Sequence, residues 1–126
     1  MRKNIYLTRA ELLEEKLILH SSERFSEQHL KPAGQVIVDS DNYSFVYLAE
    51  SDEDYVLLHI QEGCWTALKE GFKQNIPVVA NLGETTFELE GLHHELDYLI
   101  ENIEGNSNYG DEMVKKVESV FLEKAE

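Results

Sequence analysis

Val36-Ile37-Val38-Asp39-Ser40-Asp41-Asn42-Tyr43-Ser44-Phe45-Val46-Tyr47-Leu48, followed by Ser51-Asp52-Glu53-Asp54 and Tyr55-Val56-Leu57-Leu58-His59-Ile60, is the stretch on which the fold turns. Three β-branched and aromatic runs alternate with two clusters of Asp, Asn and Ser. The clusters are turn formers, because their short polar side chains hydrogen-bond their own backbone. The runs between them suit a pleated, half-buried surface. Connections this short predict an antiparallel meander.

On the N-terminal side, Ile5-Tyr6-Leu7-Thr8 and Lys16-Leu17-Ile18-Leu19-His20 read as two further strands, with a hairpin turn around Glu14-Glu15. Ser21 to Ala33 is polar and reads as irregular, and Pro32 keeps it out of a central strand. Downstream the period changes. Trp65, Leu68 and Phe72, with Cys64 and Ala67 beside them, recur at helical spacing, and Asn75 and Pro77 end that helix. Ile76 to Ala80 and Thr85 to Leu89 read as strands around Gly83. Leu92, Leu96, Leu99, Ile100 and Ile103 then form one apolar stripe, with Gly105 where a C-terminal glycine belongs. Asp111 begins a last helix carrying Met113, Val114, Val117, Val120 and Phe121 on one side. The expectation is an α+β fold, one domain over 1–126, in which an antiparallel sheet (meander plus hairpin) packs on about three amphipathic helices.

At 126 residues the chain buries about two thirds of its unfolded surface and needs no disulfide or metal to hold it together. An apolar fraction of 42% argues against disorder. The single cysteine, Cys64, excludes an internal disulfide and fits a reducing compartment. Met1-Arg2-Lys3-Asn4-Ile5-Tyr6 lacks the apolar region of a signal peptide, and no run approaches a membrane span, so a cytoplasmic protein is expected. The sequon at Asn42-Tyr43-Ser44 would not meet glycosylation machinery there.

The net charge is −14 and unevenly placed. Residues 1–33 carry six basic and five acidic side chains, and the remainder five and twenty. No Lys or Arg occurs from Pro32 to Leu68 or from Gln74 to Val114. Nucleic acid and anionic membranes are bound by clustered cations that neutralise phosphates, so neither is an expected partner.

No glycine-rich phosphate loop and no nucleophile elbow is present. Cys64 lies near a helix start, where the dipole lowers a thiol pKa, and His59 is the nearest base in sequence. With no third group to orient them, Cys64 reads as a small hydrophobe beside Trp65. His93 and Asp97 share a helix face at i and i+4, and Glu90 and Glu101 are near in sequence. Adjacent His93 and His94 point about 100° apart, so they do not join in one site, and no metal centre is assigned. Asp39, Asp41 and Glu50 have the outline of a calcium loop, but Tyr43 and Ser44 occupy its fifth and sixth positions, where a ligand and a glycine are required. No catalytic residue, metal site or cofactor is assigned.

The meander supplies a surface instead. If the second turn pairs Tyr47 with Leu57, then Tyr43, Phe45, Tyr47, Tyr55 and Leu57 share one face. Val46, Leu48, Val56, Leu58 and Ile60 then face the helices. An exposed aromatic face is expected at a contact with a second copy or a protein partner. A one-residue change of register would divide the set between the two faces.

Gly34-Gln35 through Asp39-Ser40-Asp41-Asn42-Tyr43, then Trp65, then FELEGLHHELDYLIENIEGNSNYG from Phe87 to Gly110, resemble at matching spacing a family of short uncharacterised proteins of Bacillus-like and Staphylococcus-like bacteria. The similarity runs from Gly34 to the C-terminus, and the first 33 residues match in general character. The resemblance implies a bacterial cytoplasmic protein and brings no activity, cofactor or site residue with it. The expected function is therefore that of a small acidic non-enzymatic interaction or accessory protein, acting as a homodimer or through a protein partner. The competing readings are a small enzyme or ligand-binding protein using Cys64 and His59, or His93 and His94, and an acidic mimic of nucleic acid.

Overall fold

The computed structural model describes residues 2–25, 29–52 and 54–123, with Arg2 described by its backbone alone. Its strands are β1 (Arg2–Leu12), β2 (Leu17–Phe25), β3 (Lys31–Asp39), β4 (Ser44–Glu50), β5 (Tyr55–Gln61), β6 (Val78–Gly83) and β7 (Thr86–Glu88). Its helices are α1 (Trp65–Gln74), α2 (Leu92–Ile103) and α3 (Asp111–Phe121). The strands join in one sheet, in the order β3-β4-β5-β1-β2-β6-β7.

The β1–β2 hairpin and the β3–β4–β5 meander form as the sequence predicts. The sheet as a whole is mixed, which corrects the antiparallel expectation. β1 runs parallel to β5, and β2 runs parallel to β6. Short loops dictate antiparallel neighbours only within a hairpin. The meander is laid back so that its last strand meets β1, a junction that no local turn governs.

The segment Ser21 to Ala33 is largely strand rather than irregular. β2 continues to Phe25 and β3 begins at Lys31, while Ser26, Glu27 and Gln28 lie outside the described residues. Pro32 sits on the edge strand, where its missing N–H costs least. The register shifts between Pro32 and Gln35, and Gly34 takes φ +77° inside that irregularity, a backbone conformation glycine adopts without strain.

A second correction concerns which side chains share a face. Ser51 and Asp54 close the β4–β5 loop, with the Ser51 N–H donating to the Asp54 carbonyl at 2.8 Å. Glu50 therefore pairs with Tyr55, and Tyr47 pairs with Leu58 rather than Leu57. The aromatic set is divided: Phe45 and Tyr47 face the helices with Val56, Leu58 and Ile60, whereas Tyr55 and Leu57 face away with Val46 and Leu48.

The inner face packs Ile5, Leu7, Leu17, Leu19, Phe45, Leu58 and Ile60 against Trp65 and Leu68 of α1, Leu92, Leu96, Ile100 and Ile103 of α2, and Met113 and Val117 of α3. Phe45, Trp65, Phe72 and Phe121 form a ring cluster, with centroids 5.2–6.2 Å apart. The α2 stripe is the one read from the sequence, and α1 ends at Asn75 in the left-handed region, φ 53°. The sheet curls around the helices. Tyr47 on β4 meets Phe87 on β7 edge-on at 6.2 Å, although four strands separate β4 from β7 in the sheet order. Among the described residues no helix is long and apolar enough to cross a membrane.

Candidate functional site

The face of the sheet away from the helices is built by strand alternation and cross-strand register. One row across β3, β4, β5 and β1 is Ile37, Val46, His59 and Tyr6; the next is Gln35, Leu48, Leu57 and Asn4. Tyr55 follows on β5, opposite Glu50 of β4, which in turn faces Lys31 of β3. Val46 and Leu57 are buried at the floor. Ile37, Tyr6 and Tyr55 stand 39%, 43% and 52% exposed. The result is a trough of two shallow depressions that share Ile37 and Leu57. One is bounded by Gln35, Leu48, Glu50 and Tyr55, and the other by Asn4, Val46, Asp39, Asp41 and His59.

Its polar end has defined geometry. His59 Nε2 lies 2.8 Å from Asn4 Oδ1, and the imidazole stacks on Tyr6 with centroids 4.7 Å apart. Because an amide oxygen only accepts, Nε2 carries the proton and Nδ1 keeps its lone pair. Burial lowers the His59 pKa, opposed by the nearby charge of Asp39, so the ring is neutral at pH 7. The Asp39 carboxylate accepts from the Asn42 N–H and from Asn42 Nδ2, at 3.3 and 2.9 Å, and so closes the β3–β4 turn. Asp41 at the same turn is exposed.

The pairs considered for chemistry are not brought together. Cys64 is fully buried on the helix side of the sheet, its thiol directed at the Leu7 carbonyl 3.4 Å away, while His59 lies on the opposite face. Burial pushes the Cys64 thiol up to about 11, the reverse of activation. His93 Nε2 donates to the Ile76 carbonyl at 2.6 Å and its ring meets Phe72 edge-on at 4.6 Å, pinning the start of α2 to the turn after α1. His94 is exposed. Among the described residues no group of three or more His, Cys, Asp or Glu is placed to hold a metal. Asp39 and Glu50 lie at opposite ends of the β3–β4 ladder, where no single ion spans them.

Of the five residues expected at an interface, Phe45 and Tyr47 are core and Tyr43 is half-buried, with the Lys116 ammonium 4.8 Å above its ring. Tyr55 and Leu57 remain on the outer face. Ile37, Val46 and Leu48, which complete that face, were assigned no surface role by sequence reasoning. The signal that finds them is the length of the Ser51–Asp54 loop: four residues put 50 opposite 55, and parity follows along both strands.

Comparison with known proteins gives a family model described as a family of unknown function (UPF0738), matching residues 5–121. The chain is 44% identical over 122 residues to the UPF0738 protein YjbL of Bacillus subtilis, covering 97% of this chain and 100% of that protein. A UPF0738 protein of Bacillus velezensis is 47% identical over the same coverage. One from Bacillus cereus is 38% identical over 123 residues, again 97% and 100%. No solved structure matches the chain.

Proposed function

The chain belongs to the UPF0738 family of unknown function, and we propose that it works as a non-enzymatic interaction module whose contact surface is the outer trough of β3, β4, β5 and β1. The observation that carries this reading is the exposure of Ile37, Tyr6 and Tyr55 around an apolar floor on the face opposite the three helices. Contiguous apolar surface with a polar rim is the anatomy of a protein contact. Two of the three exposed residues are Tyr, which supplies contact area with few rotatable bonds and a hydroxyl for the rim. We place this activity in the cytoplasm, where the lone Cys64 stays reduced.

The test is site-specific photocrosslinking in a Bacillus host. A benzophenone side chain replaces Tyr55 in the trough, or Tyr98, which is 63% exposed on α2. A discrete adduct from position 55, weak or absent from position 98 and lost on Ile37→Asp, supports the reading. Equal, diffuse labelling from both positions overturns it.

A further inference from the structure

The trough has an apolar middle and acidic margins, and its charge selects among occupants. Asp39 and Asp41 stand at the β3–β4 turn, beside the depression that also holds Asn4 and His59. Glu50 borders the other depression. Against these three carboxylates, Lys31 is the one cation among the described side chains of β3, β4 and β5, because the sequence has no Lys or Arg from Pro32 to Leu68. On β1, Arg2 pairs in register with Tyr55, at the end of the trough away from Asp39 and Asp41. From this charge pattern, and resting on the reading of the trough as a contact surface, we infer that its occupant is a basic protein segment: an apolar or aromatic side chain seated over Leu57, with a Lys or Arg directed at the Asp39–Asp41 end.

A second copy fits this face less well. Stacking trough on trough about a two-fold axis brings six carboxylates together with two copies each of Lys31 and Arg2, still an excess of acid, and each chain contributes a net charge of −14. Like charges juxtaposed across a contact oppose association, whereas a cationic segment gains both steering and complementarity. The polar depression is also suited to a cation chemically. Its imidazole is neutral with an unprotonated Nδ1, and the Asp39 and Asp41 carboxylates only accept, so this end offers acceptors to an ammonium or guanidinium. β4 has seven residues, so the trough is about 20 Å long at 3.3 Å per residue, enough for an extended segment of about six residues.

The experiment keeps the benzophenone at position 55 and compares two charge reversals of equal size. Asp41→Lys with Glu50→Lys changes the trough, and Asp97→Lys with Glu101→Lys changes the exposed side of α2. The trough pair should lower the adduct about tenfold and the α2 pair by less than about twofold, each with an unchanged melting temperature. The crosslinked peptide, sequenced by mass spectrometry, should carry Lys or Arg within about six residues of the crosslink. Asp41→Asn with Glu50→Gln should lie between parent and reversal, which guards against a fault of folding. Equal losses from both pairs, no loss from either, a peptide without Lys or Arg, or an adduct of two copies of this chain would each overturn the basic occupant and leave the contact surface standing. Absence of any adduct from the unreversed chain would overturn both.

Discussion

The Tyr47 hydroxyl donates a 2.7 Å hydrogen bond to the backbone carbonyl of Glu90, joining the second strand of the sheet order to the chain that leaves the last. The bond and the Tyr47–Phe87 ring contact close the curl of the sheet over α2. Tyr47→Phe keeps the ring and orphans a carbonyl, so it should cost about 1–3 kcal/mol. Tyr47→Glu would place a carboxylate where the side chain is 2% exposed, and it should unfold the chain rather than release a surface contact. Urea unfolding of the two variants checks both outcomes.

Two buried acids set the alkaline limit of stability. Tyr47 is pushed up from 10 to about 12, by burial first and then by the charges of Glu90 and Glu88. Cys64 is pushed up from 9 to about 11 by burial. A group whose folded pKa is raised holds its proton longer in the folded state. Its contribution is complete below the unfolded pKa and disappears as pH rises through the folded one. Stability should therefore decline from about pH 9 to pH 12, and Cys64→Ala should remove the earlier part of that decline. At pH 7.5 the native thiol should react with a soluble disulfide reagent only as fast as the chain opens. Labelling at the rate of a free thiol would contradict its burial.

Leu96 and Tyr98 lie two positions apart on α2 and face opposite environments. Leu96 is fully buried against the sheet and Tyr98 is the most exposed large apolar residue among those described. Leu96→Ala should cost about 2–5 kcal/mol through lost burial and the cavity left behind. Tyr98→Ala should stay within about 0.5 kcal/mol. Equal costs in denaturant titrations would show that α2 is rotated from this orientation.

The α2 contrast was legible in the sequence because helical period alone assigns the faces of Leu92, Leu96, Ile100 and Ile103. The two hairpin units were legible for a similar reason, since Asp39 to Asn42 and Ser51 to Asp54 announce their turns locally. Strand polarity across β1 and β5 was not, because Ile5 and Leu58 meet without any turn between them, and alternation reads the same in either direction. The trough was lost to a single residue of register. Tyr47 and Leu57 each look suited to an exposed aromatic face, and only the four-residue loop length puts Leu58 opposite Tyr47. Asn4 and Tyr6 join His59 through that same parallel junction, so the polar end of the trough had no local signature.

His59 supplies the acid-side test of that junction. The groups around it are Asn4 and Tyr6 on β1, Val46 on β4 and the Asp39 carboxylate at the end of β3. Burial lowers its pKa below the ordinary 6.5, and Asp39 only partly offsets this. The unfolded chain then takes up a proton at a higher pH than the folded chain does, so stability rises with pH across that interval. The contribution is present above pH 6.5 and is lost as pH falls from 6.5 through the folded value. An NMR titration of the ring should place the midpoint below 6.5. Asn4→Asp sets a carboxylate at the position of the amide, 2.8 Å from Nε2. It should raise the midpoint above that of the parent chain, because a nearby negative charge favours the imidazolium. If the midpoint passes 6.5, the slope reverses, and stability is greatest below 6.5 and declines as pH rises through the new value. An unchanged midpoint in Asn4→Asp would mean that β1 and β5 do not meet in the register that places Asn4 opposite Leu57, and the polar end of the trough would fall with it.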